Sequence, residues 1–350
     1  MLFGGPGKSG CRQDKMTIRE ELEQWEDKYL SEYASKSMNS RGRDVKEEEC
    51  DIRPVYQRDR DRILHSNSFR RLKDKTQVFL APEGDHYRTR LTHTLEVSQN
   101  ARTIAKALRL NEDLTEAIAL GHDIGHTPFG HAGERALARV CPEGFEHNVQ
   151  SVRVVEVLEK RGAGLNLTWE VRDGILNHKT KGMPQTPEGR IVRFSDKIAY
   201  IHHDMDDAIR GKILCEEDIP KELRNTLGNT TTKRFDCFTH DIIRNSEGAD
   251  IRMSDEIGEA MKELRQFMFD RVYTNPRVKS EETKAERLVE ALYDYYLHEP
   301  EELPEEYMTL VNEKGTSIER AVCDYVSSMS DRYAAGIFNE LFLPRSWKEI

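Results

Sequence analysis

The residues with the clearest chemical potential lie between positions 119 and 134, where the sequence reads ALGHDIGHTPFGHAGE. Within thirteen positions this segment holds three histidines and two carboxylates, namely His122, Asp123, His126, His131 and Glu134. The glycines and proline between them end a helix and let the chain turn back, so that the polar groups can converge. An adjacent His-Asp pair offers one imidazole nitrogen and one carboxylate oxygen, which is half of the shell of a first-row divalent metal. The segment therefore predicts part of a hydrolytic metal site.

Helices must position this cluster, because the hydrophobic periodicity predicts a mainly α chain. An amphipathic stripe begins at Ile18, a polar loop occupies 33–52, and the Thr- and Asn-rich stretch 227–241 is interpreted as a boundary or surface excursion. One small β-hairpin is predicted between Thr76 and Arg90. The other predicted helices span 91–109, 113–122, 130–140, 147–160, 169–178, 189–211, 254–274, 281–298, 303–313 and 316–336.

The composition excludes several classes of protein. The 350 residues include 53 Lys+Arg and 63 Asp+Glu, a net charge of −10 that argues against broad coating of nucleic acid. No window approaches the ~18 apolar residues of a membrane helix, and residues 1–15 lack the apolar core of a signal peptide. We therefore expect a cytoplasmic protein that does not enter a membrane. The six cysteines form no CxxC pair, which favours reduced thiols over a disulfide frame or zinc cage.

Two further residues complete a familiar pattern. His93 lies in the first turn of one predicted helix and Asp196 on another. The order His93, His122-Asp123, Asp196 resembles the HD superfamily of metal-dependent phosphohydrolases. Three more segments, RDRDRILHSNSFRRLKDKTQVF, SDKIAYIHHDMDDAIRGKIL and DYVSSMSDRYA, make the chain similar to the bacterial dGTPase-like deoxynucleoside triphosphate triphosphohydrolases. This similarity covers most of residues 15–350.

The resemblance implies an architecture, namely a mainly α HD-domain helical bundle with one small β-hairpin and a C-terminal helical extension. We expect a flexible tail over 1–15 and an N-terminal helix and loop over 16–57. The HD metal-dependent phosphohydrolase core then spans 58–226, and a C-terminal helical subdomain spans 227–350.

The resemblance also implies the reaction. His93, His122, Asp123 and Asp196 would hold one divalent ion, with Mn²⁺ or Mg²⁺ expected and Fe²⁺, Co²⁺, Ni²⁺ or Zn²⁺ compatible with the same donors. In the family, a metal-bound water attacks the α-phosphorus of a dNTP such as dGTP. The 5′-oxygen of the deoxynucleoside leaves, and intact inorganic triphosphate is released.

A second set of residues could handle protons. His131 and Glu134 are three positions apart at the start of a predicted helix, so the carboxylate can orient the imidazole. They match the catalytic histidine and its acidic partner in the family. His126 and His147 are the other candidates for contacting phosphate or protonating the leaving oxygen, and the sequence does not rank them.

Sugar recognition has its own residues. Asp196, Tyr200 and Asp204 are spaced by four, so they share one face of a helix. In the family, the tyrosine packs against the sugar where a 2′-hydroxyl would sit, and the aspartate accepts a hydrogen bond from the 3′-hydroxyl. Gln77 falls where the family places another sugar contact.

Positive charge would attract the triphosphate. Arg90 and Lys197 fall where the family places phosphate contacts, and segment 58–75 carries seven basic and three acidic residues. This segment is either a solvated helix face or an anion-facing surface. Because related enzymes bind dNTP effectors between subunits, an effector role and a homo-oligomer are expected from the resemblance, with weak or no binding of nucleic acid.

Two other functions stay open. One is an HD-type phosphodiesterase or nucleotidase with a dinuclear site, in which His147 or His178 supplies extra ligands. The other is a nucleotide-sensing or single-strand nucleic-acid-binding regulatory protein whose site does little chemistry.

Overall fold

The computed structural model describes residues 16–77 and 88–344, and the predicted mainly α fold is confirmed over them. The first ten helices are α1 (Ile18–Tyr29), α2 (Val55–Leu64), α3 (Asn67–Arg71), α4 (Arg90–Ala107), α5 (Glu112–Gly121), α6 (Gly130–Val140), α7 (His147–Arg153), α8 (Glu159–Gly162), α9 (Trp169–Leu176) and α10 (Pro187–Arg210). The next seven are α11 (Lys221–Leu227), α12 (Thr231–Asn245), α13 (Asp255–Met268), α14 (Pro276–His298), α15 (Glu305–Lys314), α16 (Ile318–Ser328) and α17 (Asp331–Phe342).

Side-chain caps explain where the helices that carry the site begin. Thr89 precedes α4, Asn111 precedes α5 and Thr186 precedes α10, and each accepts a hydrogen bond from a backbone N–H of the first turn. In α10 the cap is followed by Pro187, whose fixed φ suits the first helical position. Local sequence therefore defines these starts before tertiary packing acts.

The predicted β-hairpin is not confirmed. Its two ends meet in one isolated antiparallel bridge between Thr76 and Thr89. Residues 78–87, which would form most of the hairpin, lie outside the described residues, as does the predicted tail 1–15. Within the described ranges no sheet is formed.

The prediction of a looser stretch over 227–241 is wrong, because α12 occupies most of it. Thr230 caps this helix, and Arg234, Phe238 and Ile242 form a buried stripe with helical spacing. The polar residues that suggested a loop lie in its first turn and on its exposed side. Tertiary burial of one apolar face outweighs the weak helix propensity of threonine and asparagine.

Two predicted helices are also interrupted. The segment 316–336 is two helices, since Ser330 caps the start of α17 just after α16 ends. The segment 147–160 passes from α7 into a π-helix at Val154–Leu158, and Lys160 and Arg161 then take left-handed φ angles of 53° and 55°.

Two hydrophobic clusters organise the packing. The first is built mainly from α2, α4, α5, α9, α10, α12 and α13. The second consists of α14–α17 together with α6 and the turn after it, through residues such as Ala136, Leu137 and Phe145. Helix α6 therefore packs with the C-terminal helices, although it follows the HD pair directly in sequence.

The structure also bears on the predictions about membrane helices and cysteines. Among the described residues, no helix is both long and apolar enough to cross a membrane. Of the six cysteines, the five within the described ranges have free thiols: Cys50, Cys141, Cys215, Cys237 and Cys323.

Candidate metal and acid–base site

Three helices bring the predicted metal ligands together. Helix α4 carries His93, the end of α5 carries His122 and Asp123, and α10 carries Asp196. Helices α4, α5 and α10 pack against one another in the first hydrophobic cluster. We call these four residues the metal cluster.

Glycine allows the turn after α5 to fold tightly. A Cβ at Gly125 would lie 2.1 Å from the backbone nitrogen of Ser151, so only glycine lets the turn approach α7 this closely. Ser151 Oγ donates to the His122 carbonyl oxygen at 2.8 Å and accepts from the Gly125 N–H at 3.0 Å. This contact secures the backbone on either side of Asp123.

The donor atoms of the metal cluster converge on one point. His93 Nε2 lies 3.2 Å from Asp196 Oδ1. His122 Nε2 lies 3.7 Å from Asp123 Oδ1 and 3.8 Å from Asp196 Oδ1. Donor atoms ~2.1 Å from a common ion are separated by roughly 3.0–3.5 Å in tetrahedral or octahedral geometry. His93, His122 and Asp123 have ligand atoms within 4.8 Å of one another, and Asp196 Oδ1 lies within 3.8 Å of both imidazoles, so these side chains fit a divalent ion.

The hydrogen bonding of His122 leaves its outer nitrogen available to a cation. A carbonyl oxygen only accepts, so Nδ1 donates its proton to Ala119 O at 2.7 Å and leaves Nε2 as a lone pair. That nitrogen is fully buried and has no hydrogen-bond partner among the described residues. An unpaired buried polar atom is costly, and a metal ion beside two carboxylates would satisfy it. The residues present thus fit a divalent metal.

A relay of side chains orients His93, and the sequence reasoning did not identify it. The Glu96 carboxylate accepts from His203 Nε2–H, which leaves His203 Nδ1 as an acceptor facing His93 Nδ1–H at 3.2 Å. His93 Nε2 is then a lone pair on the side of Asp196. Burial by itself would raise the pKa of Glu96, but the hydrogen bond from His203 lowers it. This carboxylate–histidine–histidine relay increases the basicity of the metal-facing nitrogen.

Arg90 contacts Asp123, one of the four residues of the metal cluster. Its guanidinium is buried and forms an ion pair with Asp123 Oδ2, leaving Oδ1 toward His122. Burial alone would raise the pKa of Asp123, but His122 and Arg90 hold it well below its usual range. The predicted phosphate contact of Arg90 is thus accompanied by a second role, the orientation of a metal-binding carboxylate.

The predicted proton-transfer residues also converge, and we call His126, His131, Glu134 and His147 the acid–base cluster. Glu134 Oε2 accepts from His131 Nδ1 at 2.9 Å, while Oε1 accepts from His147 Nδ1 at 2.8 Å and from its backbone N–H at 3.0 Å. Burial would raise the pKa of Glu134, but the hydrogen bonds from His131 and His147 hold it far below its usual range. One ionised carboxylate therefore orients two imidazoles.

His126 is buried inside the acid–base cluster. Its ring stacks on that of His147 with centroids 4.6 Å apart, and its buried Nδ1 has no hydrogen-bond partner in the described chain. Burial, and then the positive charge of Arg90, lower the pKa of His126 well below its usual range, so it is neutral at pH 7. His131 differs, because 65% of its side chain is exposed. The cluster thus combines a buried neutral imidazole with a solvent-facing one.

His178 lies between the two clusters. His178 Nδ1 donates to Ile175 O at 2.7 Å, and its Nε2 lies 3.3 Å from His147 Nε2. Burial lowers the pKa of His178 to about 4, so it is neutral. Asp123, His147 and His178 also have ligand atoms close enough to share a metal ion.

The predicted sugar-binding face of α10 meets a tyrosine that sequence reasoning missed. Asp204 is buried and accepts a hydrogen bond from the hydroxyl of Tyr273, which lies in a π-helix at Phe269–Tyr273. Burial raises the pKa of Asp204 to about 7 and that of Tyr200 to about 12. No local signal marks Tyr273, because 69 residues separate it from Asp204.

The two remaining predicted substrate contacts lie close to the metal cluster. Gln77 is buried, its backbone oxygen accepts from Arg90, and its side-chain oxygen has no hydrogen-bond partner in the described chain. Lys197 is half-buried next to the Phe194 ring, and burial lowers its pKa to about 8. Both side chains therefore have polar atoms that a ligand could contact.

The first arginines of the basic segment 58–75 are neutralised by acidic partners, whereas Arg70 and Arg71 donate to the neutral oxygens of His65 and Ser68. Arg60 pairs with Asp113 and Glu116, and Arg62 forms two hydrogen bonds to Glu47. These contacts favour the solvated-face interpretation over an open anion-binding surface.

The similarity to known proteins agrees with this geometry. Residues 90–201 match the HD domain, and residues 251–340 match the phosphohydrolase-associated domain. The deoxyguanosinetriphosphate triphosphohydrolase-like protein of Caldanaerobacter subterraneus subsp. tengcongensis is 58% identical over 335 residues, which cover 95% of this chain and 98% of that protein. Proteins of the same description from Clostridium tetani and Clostridium perfringens (strain 13) are 47% and 49% identical. These alignments cover 95% and 94% of this chain and 98% and 99% of the relatives.

Proposed function

Since the chain belongs to the HD-domain family of deoxyguanosinetriphosphate triphosphohydrolase-like proteins, we propose that it hydrolyses a dNTP, such as dGTP, to the deoxynucleoside and inorganic triphosphate. The broader activity, metal-dependent hydrolysis of a phosphate ester, follows from the HD domain and its histidine and aspartate donors. The choice of dNTP as substrate is supported by the relatives' description and by the sugar-binding face of α10.

The observation that carries the proposal is the close approach of the two clusters. His147 Nε2 lies 4.0 Å from Asp123 Oδ1, while the other nitrogen of the same ring is bound to Glu134. Phosphoryl transfer needs charge stabilisation and proton transfer at the same centre. Both requirements are met within one site.

The metal cluster would hold one divalent ion, with Mn²⁺ or Mg²⁺ preferred, which polarises a phosphoryl oxygen and lowers the pKa of a nearby water. Arg90 orients Asp123 and adds positive charge near the attacked phosphate. Glu134 keeps the proton of His147 on Nδ1, so Nε2 can take a proton from the attacking water. His131, whose other ring nitrogen is held by Glu134, is the candidate for protonating the 5′-oxygen of the leaving deoxynucleoside, while the neutral His126 is a candidate for contacting phosphate.

Selection of deoxyribose would come from α10 and Tyr273. Tyr200 forms an aromatic wall against which a 2′-hydroxyl would lose its hydrating water. Asp204 offers a carboxyl oxygen that can accept a hydrogen bond from the 3′-hydroxyl. Tyr273 already donates to Asp204 and aims its carboxylate. A ribonucleotide should therefore bind less well than the matching deoxyribonucleotide.

A dinuclear phosphodiesterase or nucleotidase is the second candidate, favoured by one observation. With both Nδ1 atoms donating elsewhere, the Nε2 lone pairs of His147 and His178 face each other at 3.3 Å beside Asp123. A second cation or a shared proton would relieve their repulsion. A metal count of two ions per chain, together with hydrolysis of phosphodiesters, would favour this candidate.

Product analysis tests the main proposal. Purified protein incubated with each dNTP and Mn²⁺ or Mg²⁺ should release triphosphate and deoxynucleoside, both resolved by ion-exchange chromatography. Pyrophosphate or orthophosphate as the first product would contradict it. Absence of turnover with any dNTP, alone or in mixtures, would favour the sensor interpretation. Sedimentation in the presence and absence of dNTP tests the predicted homo-oligomer and effector binding.

A further inference from the structure

The C-terminal helices hold the segment that starts α6. Asp331, the first residue of α17, accepts through Oδ1 from the Phe129 backbone N–H at 2.9 Å. Through Oδ2 it accepts from the Thr76 backbone N–H at 3.0 Å and from the Thr76 hydroxyl at 2.7 Å. One carboxylate therefore joins the start of α17, the start of α6 and the chain just after α3.

The turn that Asp331 holds is strained. Phe129 has a left-handed φ of 61°, which is unfavourable for a residue with a Cβ, and its side chain makes no cap hydrogen bond. Such a conformation persists only where surrounding contacts enforce it. His131 and Glu134 lie in the first turns of α6, so the direction of this turn sets where both side chains point.

The rest of the acid–base cluster is attached to the same C-terminal region. The buried Lys75 ammonium donates to the His126 carbonyl oxygen and to Ser327 O on α16 at 2.9 Å. On α7, which begins with His147, Gln150 Nε2 donates to Asp324 of α16 at 2.9 Å. The metal cluster differs, because His93 hydrogen-bonds to His203 of α10 and His122 to Ala119 of α5.

We propose that Asp331 is a positioning residue for the proposed hydrolysis, holding the Phe129 turn so that His131 and Glu134 face His126 and His147. This inference rests on the proposed function. It assigns the C-terminal region a role in placing the proton-transfer groups, while metal binding depends on the other helices. Asp331 does not touch the reacting atoms; it acts through the backbone of Phe129 and through Thr76.

Replacing Asp331 by alanine tests this directly. We expect kcat to fall by about 100-fold, the effect of a displacement near 1 Å, with KM and the affinity for Mn²⁺ close to wild type. Formate, a small carboxylate that can enter the vacated space, should restore part of the lost kcat, whereas chloride at equal ionic strength should not. Glu313→Gln, which removes an exposed charge from α15, is the matched control.

The outcomes separate positioning from general destabilisation. A parallel loss of Mn²⁺ affinity and kcat, or an unchanged kcat, would overturn the inference. If Asp331→Ala does not fold, Asp331→Asn and Thr76→Val remove fewer hydrogen bonds, and a kcat equal to wild type in both would also overturn it.

A spectroscopic measurement makes the inference testable even if the wild type hydrolyses no dNTP. In spectra of protein with ¹⁵N-labelled histidine, Asp331→Asn should shift the imidazole signals of His131 and His147 and leave those of His93 and His122 in place. Shifts in all four rings, or in none, would contradict positioning. Failure of dNTP hydrolysis with the selective shifts intact would count against the proposed function alone.

Discussion

The metal cluster and the acid–base cluster are neighbours, yet part of the acid–base cluster lies on a helix of a different packing unit. His93, His122, Asp123 and Asp196 lie on helices of the first hydrophobic cluster. Helix α6, which carries His131 and Glu134, packs in the second hydrophobic cluster with α14–α17. The candidate site therefore lies where the two cores meet, with His131 and Glu134 on α6 and His147 on α7, which contacts α9 of the first hydrophobic cluster.

His122 of the metal cluster and His131 of the acid–base cluster differ in their exposure to solvent. His122 is completely buried, whereas 65% of the His131 side chain is exposed. Donors to a metal benefit from a rigid, dry site that excludes competing water. Groups that exchange protons with substrate and solvent need access. Separate packing units let one site satisfy both requirements.

The largest effect on activity is expected from a substitution in the metal cluster. His122→Ala removes the nitrogen that lacks a hydrogen-bond partner and should reduce both hydrolysis and tight Mn²⁺ binding to background. Isothermal titration with Mn²⁺ and product analysis would measure the two losses. His240→Ala, on the exposed side of α12, is the control, and retained Mn²⁺ binding in His122→Ala would show that the metal cluster is misplaced.

A change on the acid–base side should leave metal binding intact. Glu134→Gln keeps the size of the side chain but removes the charge that orients His131 and His147. We expect kcat to fall by about 10²- to 10⁴-fold, the usual range for general acid–base catalysis, at unchanged Mn²⁺ affinity. If Mn²⁺ affinity falls together with kcat, the two clusters do not act separately.

The burial of Asp204 should make the unfolding free energy of the protein depend on pH. Burial raises its pKa from 3.8 to about 7. The folded state therefore binds a proton more tightly than the unfolded state, and stability present below pH ~4 is lost as the pH rises through about 7. The loss is about 4 kcal/mol at most, at 1.36 kcal/mol per pKa unit.

Asp204→Asn removes this titration. Urea denaturation from pH 4 to pH 8 measures the unfolding free energies of wild type and variant. As the pH rises, the unfolding free energy of the wild type should fall relative to that of the variant. A constant difference over this range would contradict the raised pKa of Asp204.

The smallest effect is expected on the surface of the second core. Arg135 and Arg139 of α6 form ion pairs with Glu282, Glu286 and Glu290 of α14. The arginines are nearly half exposed, so Arg139→Ala should lower the unfolding free energy by no more than about 1 kcal/mol. Thermal unfolding and kcat should both stay near wild type. A large loss of kcat would mean that these ion pairs, rather than the buried contacts, hold α6 in place.

Much of the fold could be predicted because local signals agreed with burial. Helices α4, α5 and α10 combine side-chain caps with apolar periodicity, and their predicted bounds are close to those observed. α12 was missed because its polar first turn resembles a loop and its buried stripe becomes favourable only against other helices. The break before α17 was missed because apolar periodicity continues across Ser330.

The candidate site likewise has residues that local sequence signals identify and residues that only tertiary contacts reveal. The HD pair and its flanking glycines mark the metal cluster in the sequence, and the three-residue spacing of His131 and Glu134 matches their observed hydrogen bond. Tyr273, the Glu96–His203 relay and Asp331 could not be found in this way. Each acts on a residue in a different helix, so no spacing rule connects it to its target.

The sequence alone determined which residue types could do chemistry and which helices would carry them, because caps, glycines and helical spacing act over a few positions. It also indicated the family, through several separated motifs. Only the tertiary structure decided that α6 packs with the C-terminal helices and that Asp331 joins the turn at Phe129, 202 positions earlier in the chain. The physical reason is that burial and hydrogen bonding between distant segments are settled when the two cores pack, and no local pattern encodes which segments will meet.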